Sequence, residues 1–182
     1  PPRPWYAATG SAGSGSAFTG QLTSTFFNER WIGECSEQFA AYLLCVQRAF
    51  LVSARDCLAP GSSVIVTLGG RVPIPLVQKM FHETGYVYEE LVNYFKVQSQ
   101  PEWVLGGYAR AEKQHGVTFD FYRFDAAHAA LKHELQDMQH SGVTLKRLLQ
   151  PFRLSATDAL KRFVYHQERI GHVVQVIRGI KR

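Results

Sequence analysis

The stretch "SSVIVTLGGRVPIPLVQKMFHETG", residues 62–85, limits the choice of fold more than any other. Its β-branched run, Val64 to Leu68, shows no polar alternation, which predicts a strand covered on both faces, as in a parallel sheet. Gly69 and Gly70 interrupt it, and the expected reason is a sharp turn, since glycine accepts positive φ. From Pro75 to Thr84 the spacing becomes that of an amphipathic helix, closed by Gly85. Arg71 then sits just past a strand's carboxyl end, where open α/β sheets hold ligands.

The flanking segments extend the same pattern. In "GECSEQFAAYLLCVQRAFLVSARDCLAPG", residues Phe39, Leu43, Val46, Phe50, Ala54 and Cys57 recur at helical spacing after the capping residue Ser36. "YVYEELVNYF" favours a strand start, and Pro101 to His115 reads as a helical insertion. In "GVTFDFYRF", Val117, Phe119 and Phe121 alternate with Thr118, Asp120 and Tyr122, which predicts an antiparallel strand with the phenylalanines toward the core. The remainder is expected to be helical. Ala126 to His140 aligns Leu131, Leu135 and Met138, and Ser155 to Asp158 has the spacing of a helix cap. The fold class is therefore α/β, divided into a linker or acceptor-side loop over 1–33, an α/β region over 34–125 and a basic helical extension over 126–182.

A chain of 182 residues that is 46% apolar can bury one substantial core. No uninterrupted apolar window reaches the roughly 18 residues of a membrane span, and the N-terminus lacks the basic and apolar regions of a signal peptide. The three cysteines follow no metal spacing, and Cys45 and Cys57 fall inside a helical pattern. They read as reduced core residues of a cytoplasmic protein, with no disulfide expected. The charge of +5 is concentrated after Val143, at Lys146, Arg147, Arg153, Lys161, Arg162, Arg169, Arg178, Lys181 and Arg182, against Asp158 and Glu168. Leu148, Leu149, Leu154, Leu160, Phe163 and Val164 share that stretch. Their apolar face is expected to dock on the chain's own sheet or on a neighbouring domain, the basic face turning to an acidic partner surface. Nucleic acid is not expected, because no aromatic-interleaved RNA motif accompanies the charge.

Between Cys35 and Phe124 the order of segments and their wording resemble the C-terminal half of class I S-adenosylmethionine-dependent methyltransferases. The likeness is closest to the methyltransferase domain of plant methionine S-methyltransferases. "ARDCLAPGSSVIVTLGGR" is similar to the helix end and fifth strand of that family, and "LGGRVPIPLVQKMFHETGY" to the fifth strand, its helix and the lead-in to the sixth. The matching positions are Gly69, Gly70, Arg71, Phe81, Gly85, Gln98 or Gln100, Glu112, Phe119 and Phe121. The resemblance implies a Rossmann-like sheet comprising strands five to seven, with "TFDFYRF" as the seventh, and transfer to a small-molecule or carrier-bound acceptor.

The family binds its cofactor with a glycine-rich turn after the first strand. "TGSAGSGSAF" has glycines but no strand before it, so S-adenosylmethionine is expected only if an N-terminal half, on a neighbouring domain or second chain, completes the site. "PPRPWY" resembles the family's Pro-Pro-aromatic turn against the methyl acceptor, which makes Trp5 and Tyr6 candidates for the acceptor pocket. Packing on a core is their other reading. Arg71 is either a carboxylate ligand, through its planar fork, or a salt-bridge partner of Glu83 or Glu112. The histidines do not cluster as metal ligands: His128 and His133 are five apart, and His133 and His140 seven. No G-x-S-x-G elbow is present. The alternative to an enzyme is a non-catalytic methyltransferase-like scaffold or docking domain in a larger assembly.

Overall fold

"IGHVVQVIRGIK", at the C-terminal end, is rich in β-branched residues and forms the strand around which the sheet is built. The computed structural model describes residues 35–136 and 140–182. Its strands are β1 (Ser63–Gly69), β2 (Tyr86–Val97), β3 (Phe121–Arg123), β4 (Arg153–Leu154) and β5 (Ile170–Lys181). The helices are α1 (Glu37–Ala41), α2 (Cys45–Cys57), α3 (Ile74–Glu83), α4 (Pro101–His115), α5 (Phe124–Ala130), α6 (Gly142–Leu149) and α7 (Ala156–His166). Short 3-10 turns occupy Glu134–Gln136 and Gln150–Phe152.

β5 is central. Along one edge it pairs with β2, from Tyr86↔Lys181 to Val97↔Gly171, with an irregularity between Glu90 and Val92. Along the other it pairs first with β3, at Tyr122↔Gly171, and then with β1, from Gly69↔Val174 to Ser63↔Ile180. β3 continues to β4. Every pairing is antiparallel. Because β1 and β2 both oppose β5, they run in the same direction, joined by α3. The result is a β-α-β unit split by an antiparallel strand.

Several expectations are met. α3 ends at Thr84 with Gly85 at φ 87°, and α4 spans the residues expected of the insertion. Ser36 and Ser155 cap α1 and α7, accepting from the backbone N–H of Phe39 at 3.4 Å and of Asp158 at 3.0 Å. Phe119 and Phe121 are buried in the main core with Phe81, Leu51 and Ile177.

Others are corrected. β1 is not doubly covered. Val64, Val66 and Leu68 are buried, Ser63, Ile65 and Thr67 are not, and Ile65 is 66% exposed. An apolar residue on the open face had hidden the alternation. The C-terminal stretch is not a helical extension but ends as the central strand, since its last twelve residues satisfy their backbone in two ladders. Only Phe121–Arg123 of "GVTFDFYRF" is strand, with Phe121 and Tyr122 both buried, and Asp120 N–H donates to Arg71 O at 2.8 Å instead of to a ladder. The helix expected over 126–140 is α5 plus a 3-10 turn, and Met138 lies outside the described residues.

The long first helix is broken at Tyr42–Leu44, where Leu43 adopts φ 59°. The corner is closed by a Cys35–Cys45 disulfide, Cα atoms 5.7 Å apart. This overturns the reading of reduced cysteines, and with it the ground for expecting a reducing compartment. The helical spacing put Cys45 inside a helix, whereas it begins α2 and faces back across the break. Cys57 is free and exposed. No helix among the described residues is long and apolar enough to cross a membrane.

Candidate functional site

The Gly69-Gly70 turn delivers Arg71 into the sheet instead of out of it. Gly70 N–H donates to Val173 O at 2.7 Å and Arg71 N–H to Gly69 O at 2.7 Å, which locks the turn onto β5. Neither glycine has positive φ. They are needed for close approach: a Cβ at Gly69 would overlap Arg71 Nη1, and one at Gly70 would lie 3.0 Å from Val173 Cγ1 and 3.3 Å from Gln175 Cγ.

The Arg71 side chain is 8% exposed. Its guanidinium carbon lies 5.2 Å from the Tyr108 ring centroid and 5.5 Å from that of Phe121, so α4 and β3 supply aromatic walls. Nη2 donates to Gln98 Oε1. Gln98 is held from behind, its N–H donating to Ile170 O at 2.7 Å and its Nε2 to Ser99 O at 2.6 Å. Arg71 Nε is buried and has no acceptor among the described residues. Nearby His172 is 3% exposed with Nδ1 also unpartnered. Burial, and then the positive charges of Arg71 and Lys96, push its pKa down to about 2, so the ring is neutral.

Neither expected salt bridge to Arg71 forms. Glu83 pairs with Lys79 at 3.8 Å. Glu112 accepts from Phe119 N–H at 3.0 Å, from Ala156 and Thr157 N–H at 2.8 and 2.9 Å, and from Thr157 Oγ1 at 2.8 Å. Among the described residues Arg71 has no carboxylate partner. Trp5 and Tyr6 lie outside the described residues.

On the other face of β5, Gln175 and Asn93 are fully or nearly fully buried around the start of α6. Gly142 N–H donates to Glu90 Oε2 at 2.7 Å, and Asn93 Nδ2 donates to the same oxygen at 2.9 Å. A Cβ on Gly142 would lie 2.6 Å from Gln175 Nε2. Among the described residues neither amide atom of Gln175 has a hydrogen-bond partner, and the pKa of the Tyr88 hydroxyl is raised chiefly by burial and by Glu90. His172, Gln175 and Asn93 carried no motif in the sequence. The one available signal was polar residues inside β-branched runs.

The basic tail is largely spent within the chain. Lys146 and Arg153 converge on Asp120 at 2.7 and 2.5 Å, Lys161 meets Asp158, Arg162 meets Glu168, Arg169 meets Asp125, and Arg178 meets Glu89. Lys181 Nζ donates to the Arg55 and Leu58 carbonyls at the end of α2, at 2.7 and 2.6 Å. Leu145 and Leu149 pack under the sheet with Tyr122 and Val173.

The described residues do not fit S-adenosylmethionine. The turn after β1 is filled by Arg71, Val173 and Gln175, and α3 opens with Pro73 and Pro75, which lack N–H donors for a ligand. No family model and no curated protein matches this chain. The site is therefore read from its own geometry: an enclosed cation with aromatic walls, a neutral imidazole and an open hydrogen-bonding edge. Among the described residues no three histidines, cysteines or carboxylates come together as a metal site.

Proposed function

We propose that the chain is the acceptor-side half of an S-adenosylmethionine-dependent methyltransferase acting on a small molecule or a carrier-bound substrate. The observation that carries this reading is the split β-α-β order, in which parallel β1 and β2 receive the antiparallel β5 between them. An antiparallel last strand is what the sequence predicts, at "TFDFYRF"; here β5 takes that place. Gly69 ends β1 with Gly70 and Arg71 next in the chain, and Phe81 lies in the last turn of α3 with Gly85 just past its end, the two elements to which the resembling motifs belong. Among the described residues β1 pairs with β5 alone, which leaves its other edge for a strand from a neighbouring domain or second chain carrying the cofactor site.

Within this half, the residues bind and orient the acceptor, the positioning on which such a displacement depends. Arg71 is the orienting cation, and Trp5 and Tyr6 are the candidates to line the acceptor pocket. The alternative, a non-catalytic methyltransferase-like scaffold, is favoured by one observation: Arg71 is enclosed and already holds Gln98. Calorimetry with S-adenosylmethionine separates them. The longest natural protein that contains this chain is expected to bind it saturably, and the chain alone is not. No binding by the former would leave the scaffold reading.

A further inference from the structure

A guanidinium keeps its charge at every physiological pH and offers donors in a rigid fork. That of Arg71 is buried, yet among the described residues the one acceptor on it is the neutral Gln98 amide, at Nη2. Nε, the neighbouring donor on the same edge of the fork, has none. A single carboxylate satisfies that edge with two parallel N–H···O bonds, where a primary amide can fill only half of it. A buried charge without a counter-charge is costly, so the arrangement favours an anion that can reach it.

We propose that the Nε–Nη2 edge of Arg71 is the receptor for the carboxylate of a small monocarboxylate ligand, and that Gln98 is the side chain it displaces. Gln98 stands where one carboxylate oxygen would sit. The other walls belong to regular elements: Tyr108 to α4 and Phe121 to β3. Gln98 alone leads into a connection, Ser99 and the exposed Gln100, the latter in the left-handed region at φ 49°. Its backbone stays anchored to Ile170 O while its side chain turns. The rings of Tyr108 and Phe121 give the ligand's carbon skeleton an apolar surface. A tetrahedral dianion finds one fork and, among the described residues, no second buried cation, since Lys96 is exposed. The proposal deepens the acceptor-side reading and rests on it only for calling this the acceptor site; the binding itself requires no S-adenosylmethionine.

The test follows the Arg71 Nε–H signal by proton–nitrogen magnetic resonance on the full chain, titrated with acetate, butyrate and benzoate at constant ionic strength. Methyl benzoate and sulfate are the controls. The carboxylates are expected to move the signal downfield to saturation, with the neutral ester and sulfate without effect. Gln98→Leu removes the competing acceptor and is expected to tighten binding by about tenfold. Gln98→Glu supplies an internal carboxylate, and is expected to raise the unfolding temperature and abolish binding of the added acids. The idea is overturned by an Arg71 signal indifferent to carboxylates, by an equal response to sulfate, or by a Gln98→Glu protein that binds them as wild type does. Carboxylate binding by this chain, with no S-adenosylmethionine binding by the longest natural protein that contains it, sinks the methyltransferase reading and leaves this one standing; the converse sinks only this one.

Discussion

The carboxylate of Glu112, in α4, accepts a 2.8 Å hydrogen bond from the backbone N–H of Ala156, the first residue of α7. The same side chain takes the N–H and hydroxyl of Thr157 and the N–H of Phe119, so one residue holds the start of α7 against the core and fixes the lead-in to β3. A carboxylate at a helix start also complements the helix dipole. Glu112→Ala leaves these donors without their acceptor and is expected to lower unfolding free energy by about 2–3 kcal/mol. Urea denaturation checks this, and a loss below about 0.5 kcal/mol would contradict the assignment.

Two glycines should respond in opposite directions to the same substitution. Gly70→Ala drives a methyl group against Val173 of the central strand and is expected to cost about 1–3 kcal/mol. Gly106 lies inside α4 with nothing near its missing Cβ, so Gly106→Ala is expected to stabilise by about 0.5–1 kcal/mol. Thermal unfolding of the two variants reads both signs.

His172 makes stability depend on acid. Its folded pKa, pushed down to about 2 by burial and by Arg71 and Lys96, lies below the unfolded value of about 6.5. Between these values the unfolded chain holds a proton that the folded one does not. Stability therefore rises with pH through this window and falls as pH drops below about 6.5, by at most about 1.4 kcal/mol per unit. His172→Phe removes that proton, so its denaturation midpoints should fall less between pH 7 and pH 5. Parallel profiles for variant and wild type would show that the ring is not buried neutral.

The Cys35–Cys45 bond spans ten residues around the break between α1 and α2. Closing a loop of that size is expected to contribute about 2–3 kcal/mol. Thiol titration of the native protein should find the single free thiol of Cys57, and reductant should lower the unfolding temperature of wild type but not of Cys45→Ser. Three reactive thiols in the native protein would contradict the bond.

Elements with strong local signals were legible in the sequence: Pro101 and Gly116 bracket α4, and Ser155 caps α7. Partnership was not. Gly171 to Gln175 are buried on both faces, so β5 offers no alternation, and Gln175 and His172 sit there as polar interruptions. The break at Leu43 was masked because its apolar residues keep helical spacing across the corner. For the site, position after β1 singled out Arg71, while its partners come from elsewhere: Gln98 from the connection after β2, Tyr108 from α4 and Phe121 from β3. Only the pairing of those strands brings them together.

On the proposed function, Arg71 is the residue that holds the methyl acceptor. The most direct measurement is transfer of a radiolabelled methyl group from S-adenosylmethionine to a panel of small carboxylates, using the longest natural protein that contains this chain. Arg71→Lys, which keeps the charge and loses the fork, is compared alongside. Label is expected on a carboxylate acceptor, with kcat/KM lower by about tenfold or more in the variant, from the loss of one charged hydrogen bond. No transfer to any acceptor, or equal transfer by the lysine variant, would contradict it.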